Sequence, residues 1–184
     1  MRDEQPVSFS SQGQLLAGIL HHGDQNANIG VLIVVGGPQY RVGSHRQFVQ
    51  LSRTLASADI PTMRFDVTGM GDSSGSKKAF DQLGEDIASA LNEFGRQYPQ
   101  ISGFVLWGLC DGASAALMYG YQDPRVKGLI LVNPWLENSE AKALATVTDY
   151  YVQRLLSRSF WKKLLGGEVQ LMQSLSGLFG TLKS

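Results

Sequence analysis

Cysteine and histidine are scarce in this chain, and each scarcity excludes something. A single cysteine, Cys110, leaves no partner for an internal disulfide and suits a reducing, cytoplasmic compartment. The three histidines, His21, His22 and His45, all lie in the first quarter of the sequence and form no Cys/His cluster of zinc-ligand spacing, so neither a metal nor another cofactor is expected. Net charge is lacking as well: 16 basic side chains cancel 16 acidic ones. Apart from Lys77-Lys78 and the stretch 154–163, Lys and Arg are scattered, which argues against nucleic acid as a partner. No apolar run approaches the roughly 18 residues of a membrane-spanning helix. The opening MRDEQPVSFSSQG has no apolar core of signal-peptide type. What is present suits a buried core: 43% hydrophobic and 17% charged residues over 184 positions.

Two strand patterns, Val7 to Ser10 and Leu15 to His21, flank Ser11-Gln12-Gly13-Gln14 and read as a hairpin. Gly30 to Val35 is an almost wholly apolar run, the mark of a strand covered on both faces. A helix is expected from about His45 to Ala58, with Phe48, Leu51, Leu55 and Ala58 at helical spacing. The alternation then repeats. Pro61 to Val67 reads as a strand, Leu83 to Phe94 as a helix, Phe104 to Trp107 as a strand, Ala113 to Tyr121 as a helix and Val126 to Val132 as a strand. Strands alternating with helices predict an α/β fold, a mostly parallel β-sheet sandwiched by helices. After Pro134 the alternation stops, and residues 135–184 are expected to form helices, with a break at Gly166-Gly167. The basic, aromatic stretch Arg154 to Lys163 within them reads as a helix with a solvated face, or as a membrane-surface contact.

The chemistry concentrates in Gly108-Leu109-Cys110-Asp111-Gly112, a G-x-C-x-G turn between an expected strand and an expected helix. Such an elbow presents a nucleophile on a strained backbone, and its flanking glycines are needed because a Cβ there would strike the neighbouring strand or helix. The helix that follows aims its positive end at the sulfur. The competing reading is an inert buried cysteine. Gly36-Gly37-Pro38-Gln39-Tyr40, after the first apolar strand, stands where hydrolases with this elbow build half of an oxyanion hole, the other half being the N–H after the nucleophile, here Asp111. Pro38 has no N–H, so Gly37, Gln39 and Tyr40 remain as donors, against a simple turn as the alternative. His45 and Tyr40 are candidate substrate contacts, and His45 is equally read as a solvated or capping residue. The Asp111 side chain is read as orienting the turn or as a general acid. Gly69 to Gly75 has G-x-G spacing after a strand, but its third glycine falls one place late and no helix opens from it, so a structural turn is expected rather than a phosphate cradle.

Taken together, Gly36 to Arg46, Arg64 to Gly75 and the cysteine elbow resemble the exosortase A system-associated hydrolases, α/β-hydrolase-fold proteins of exopolysaccharide-producing bacteria. The resemblance runs from about residue 5 to the end. It implies a hydrolase core over 1–134, a cap over 135–184, Cys110 as nucleophile and Asp111 as an oxyanion donor, acting on a small acyl substrate, ester or thioester. It also implies an acid and then a histidine further along the chain. None of the residues after Cys110 is histidine. The sequence is therefore expected to be the N-terminal part of a longer protein or a shortened relative, inactive alone, with self-association through an open sheet edge or cap helices. The alternative is a non-catalytic binding or assembly module on the same fold.

Overall fold

The computed structural model describes residues 4–135. Its first two strands, β1 (Glu4–Ser11) and β2 (Gln14–His21), form the expected hairpin. Gln12 and Gly13 join them with φ of 47° and 79°, both left-handed, which matches the twist of the paired strands. Strands β3 (Ile29–Val34), β4 (Thr62–Phe65), β5 (Gly103–Leu109) and β6 (Val126–Val132) complete one six-stranded sheet in the order β1-β2-β4-β3-β5-β6. The β1–β2 and β2–β4 pairs are antiparallel; β4, β3, β5 and β6 run parallel.

Helices α1 (Gln47–Ser57), α2 (Gly84–Gln97) and α3 (Asp111–Gly120) cover the sheet. Successive residues of β3 face opposite sides, and both sides are buried. Ile33 and Val35 meet Phe48 of α1, whose ring sits edge-on to Trp107 at 5.6 Å. Leu32 and Val34 join the larger core with Ile87, Leu91 and Phe94 of α2 and Ala115 and Ala116 of α3. The small residues of α3 let it lie close on the parallel strands.

Two sequence expectations are corrected. Helix α1 starts at Gln47, because Ser44–Arg46 form a 3₁₀ turn in which His45 and Arg46 take φ of 50° and 60°. Its buried face is Phe48, Val49, Ser52 and Ala56; Leu51 and Leu55 are half-buried and Ala58 is exposed. The strand-like run from Pro61 to Val67 is shorter than expected: β4 ends at Phe65, although the Asp66 N–H still bonds the Ala17 carbonyl of β2 at 2.8 Å. The cap expected over 135–184 lies, apart from Trp135, outside the described residues. No helix among the described residues is long and apolar enough to cross a membrane.

Candidate active site

Cys110 stands between β5 and α3 with φ 50° and ψ −119°, a region side-chain-bearing residues seldom occupy. Glycines hold it there. A Cβ on Gly108 would lie 2.6 Å from the backbone N of Ala113, and one on Gly36 would lie 2.7 Å from the carbonyl carbon of Asp111. A Cβ on Gly112 would lie 3.2 Å from Gly36 N and would run into the Val34 carbonyl. The end of β3 and the start of α3 therefore touch backbone to backbone, a contact only glycine permits. The Cys110 N–H is tied to the Val132 carbonyl at 2.9 Å, and the Cys110 carbonyl accepts from Ala113 and Ser114 N–H at 2.9 and 3.0 Å.

The thiol is half-buried. Among the described residues, the polar group recorded within reach of Sγ is the Asn133 side-chain amide, Nδ2 at 3.7 Å. The Asp111 N–H opens α3 and donates to no described residue. The Asp111 carboxylate accepts from the Trp135 indole N–H at 2.6 Å, a contact that holds the turn. Gly37, with φ 66°, lies against Asp111: a Cβ there would be 3.3 Å from Oδ2. The side chain of Gln39 accepts from Gln47 Nε2 at 3.3 Å, and the Tyr40 carbonyl accepts from Gly43 N–H at 2.9 Å. The structure thus brings Gly36, Gly37, Cys110, Asp111 and Gly112 together. Tyr40 and His45 are exposed in the loop that follows, and His45 has no hydrogen-bond partner among the described residues.

That loop is anchored from below by Asp66, which is wholly buried. Its Oδ1 accepts the Arg41 backbone N–H at 2.6 Å, and its Oδ2 accepts the Asp72 N–H at 3.0 Å and the Arg41 guanidinium. Arg41 also reaches Asp72 at 2.5 Å. Burial works against the Arg41 charge, but Asp72 and Asp66 outweigh it and hold the guanidinium more firmly protonated than usual. Behind it, Arg64 donates to the Arg41 carbonyl at 3.1 Å and to His21 Nε2 at 2.9 Å. Burial, then the Arg64 charge, pull His21 down to about 4 against the pull of Glu4, so the ring is neutral and accepts. The Gly69–Gly75 loop is structural, as expected: its Ser73 and Ser74 hydroxyls accept the Ala17 and Leu15 N–H groups of β2, and Gly71 makes room for the Asp66 carboxylate.

The sequence reading ends the last strand at Val132 and gives Asn133-Pro134-Trp135 no role in the site. Two signals were available: sites in such sheets gather at the carboxyl ends of parallel strands, and a tryptophan N–H seeks an acceptor. Arg41 and Asp66 were quoted in motifs but not paired.

Residues 29–176 match the family described as serine aminopeptidase, S33. Among solved structures, an esterase of Pyrococcus furiosus is similar at 16% identity and TM-score 0.66, the match covering 88% of this chain and 60% of that one. A putative α/β-hydrolase of Agrobacterium tumefaciens, of unknown function, is similar at 22% identity and TM-score 0.63, over 71% of this chain and 60% of that one. The α/β-hydrolase GrgF of a Penicillium species is similar at 22% identity and TM-score 0.65, over 85% and 55%. The chain thus spans less than two thirds of the length of each of these structures. The fold they share with it is that of the α/β-hydrolases. No curated protein matches the sequence.

Proposed function

Because the chain belongs to the serine aminopeptidase S33 family, an α/β-hydrolase family, we propose that it is the nucleophile-bearing part of an acyl hydrolase or acyltransferase in which Cys110 replaces the serine of the family's name. The observation that carries this reading is the backbone of Cys110, a strained residue between a parallel strand and a helix, held where only glycines allow the oxyanion loop to approach. In the reaction the sulfur adds to the carbonyl carbon of an ester or thioester. The carbonyl oxygen takes the negative charge, held by the Asp111 N–H and by an N–H of Gly37, Gln39 or Tyr40. The tetrahedral adduct collapses to an acyl-cysteine as the alcohol or thiol leaves with a proton, and water or an acceptor alcohol then takes the acyl group. His45 and Tyr40, exposed in the loop after β3, are candidate substrate contacts.

The base is the open element of this reading. No histidine follows Cys110, and the polar group beside Sγ is an amide, which cannot take a proton. For turnover, a base and its acid must be brought to the sulfur, which the described contact of Sγ does not supply. The resemblance of residues 36–46, 64–75 and 108–112 to the exosortase A system-associated hydrolases supports a role in exopolysaccharide production. The contact with Asn133 instead of a base also supports a second reading, a non-catalytic assembly module on the same fold.

The test is hydrolysis of p-nitrophenyl acetate by the 184-residue chain, alone and joined to a C-terminal segment carrying the acid and histidine. Negligible turnover alone and Cys110-dependent turnover in the joined form are expected. No turnover in the joined, folded form would favour the assembly module. Cys110-dependent turnover by the chain alone would mean that a base lies within it, with His45 the first residue to substitute.

A further inference from the structure

We infer that Asn133 is a positioning residue for the Cys110 sulfur, a hydrogen-bond donor that orients it for attack. The inference rests on the nucleophile reading above. Three observations carry it. First, the side-chain amide of Asn133 stands 3.7 Å from Sγ, within reach of an N–H···S contact. Second, that distance is set by the framework. The Cys110 N–H bonds the carbonyl of Val132, the residue just before Asn133, at 2.9 Å, and Val132 is itself paired with Leu109 in the sheet. The cysteine and the asparagine thus leave neighbouring parallel strands side by side at the carboxyl end of the sheet.

Third, Asn133 takes φ 51°, a left-handed turn that Asn tolerates better than most residues, and two residues later Trp135 fastens the segment to α3. The Trp135 indole bonds Asp111 at 2.6 Å, and its backbone N–H bonds the Ser114 hydroxyl at 3.1 Å. Asn133 is therefore held at both ends, by β6 before it and by the tryptophan after it. A primary amide N–H points partial positive charge at the sulfur without being able to accept its proton. It offers the sulfur a donor and leaves proton removal to another group.

The left-handed backbone offers a bland explanation for asparagine at this position, and the experiment separates it from the side-chain role. Asn133→Gly keeps the left-handed turn and removes the amide. Asn133→Asp keeps the shape and places a carboxylate beside the sulfur. Alkylation of the full 184-residue chain by iodoacetamide is followed across pH: the thiolate forms an S–C bond as iodide leaves, and the peptide carrying Cys110 is identified by mass. Wild-type protein should react faster when folded than when unfolded in urea. Asn133→Gly should react roughly fivefold more slowly at neutral pH, and Asn133→Asp more slowly again, on the order of tenfold or beyond. Both variants should keep the wild-type melting temperature while the Cys110 rate falls, which a purely structural role would not produce. Folded variants that alkylate with the wild-type rate and pH curve would overturn the role of Asn133 and leave Cys110 as nucleophile standing. Wild-type Cys110 no faster folded than unfolded would remove the nucleophile reading, and the role of Asn133 with it. Should Asn133→Gly fail to fold, Asn133→Asp alone decides by the same curve.

Discussion

A buried histidine and a set of glycines give the sharpest expectations at the scale of single residues. His21 is 2% exposed, and burial together with the Arg64 charge draws it down to about 4 while Glu4 opposes them. The unfolded chain, with the ordinary value near 6.5, therefore binds a proton first as the pH falls. Stability that is complete above pH 6.5 should decline between about pH 6.5 and 4, by up to about 3 kcal/mol, and the loss should level off below that window. The carboxylates held low in the fold, Glu4 through Arg53 above all and Asp86 through Thr68, Ser11 and Lys78 against the cost of its burial, act only at more acid pH. Urea unfolding at pH 7 and pH 5 should show this difference, and His21→Gln should flatten it. Unchanged midpoints in the wild type would refute it. The glycines differ among themselves. Gly36→Ala and Gly112→Ala force a Cβ into backbone and should each cost about 3 kcal/mol or more and abolish enhanced thiol alkylation. Gly84→Ala, whose new Cβ would come no nearer than 3.7 Å to Tyr119, should be neutral or mildly stabilising. Thermal melts of the three variants check the ranking.

Between elements, Asp66 joins the loop after β3 to the loop after β4. Replacing it with Asn leaves the half-buried Arg41 with Asp72 as its remaining carboxylate partner and should cost about 2 kcal/mol. Hydrogen exchange should quicken at Arg41 and Asp72, whose N–H groups Asp66 accepts, while the β1–β2 hairpin stays protected. Equal exchange in the two proteins would show that the loops are held by other contacts. This tie illustrates what the sequence discloses and what it withholds. The apolar run of β3, the glycines of the elbow and the helical spacing of Leu83, Ile87, Leu91 and Phe94 are local patterns, and each was legible. The Arg41–Asp66 pair joins residues 25 positions apart, and it exists only because β4 is laid parallel to β3. Asn133 meets Cys110 for a similar reason, the register of β6 on β5. On α1 the expected Phe48 is buried and Leu51 packs beside it, but the buried stripe continues through Val49, Ser52 and Ala56 rather than Leu55 and Ala58, a choice that only the sheet makes.

For the whole molecule, the described sheet has two ends that differ in kind. At one end β1 carries polar residues between its buried ones. At the other, β6 pairs only with β5 among the described residues, and Leu129, Ile130 and Val132 are 36%, 48% and 39% exposed. Such an edge invites pairing with another strand. The 184-residue chain should therefore associate at micromolar concentration in light scattering coupled to size exclusion, and Ile130→Lys should shift it toward monomer. A wild-type chain that runs as a monomer at high concentration would sink this expectation. The strand order carries one more consequence, for the chain as it is being made. The β1–β2 hairpin joins immediate neighbours, whereas Val34 of β3 must wait for Gly108, 74 positions later, before its second flank is filled. On a ribosome delivering about 5–20 residues per second, that is several seconds or more during which a strand apolar on both faces stands half-paired. The backbone contact between Gly36 and Gly112 closes later still, so the corner that holds Cys110 is assembled only after its thiol has left the exit tunnel.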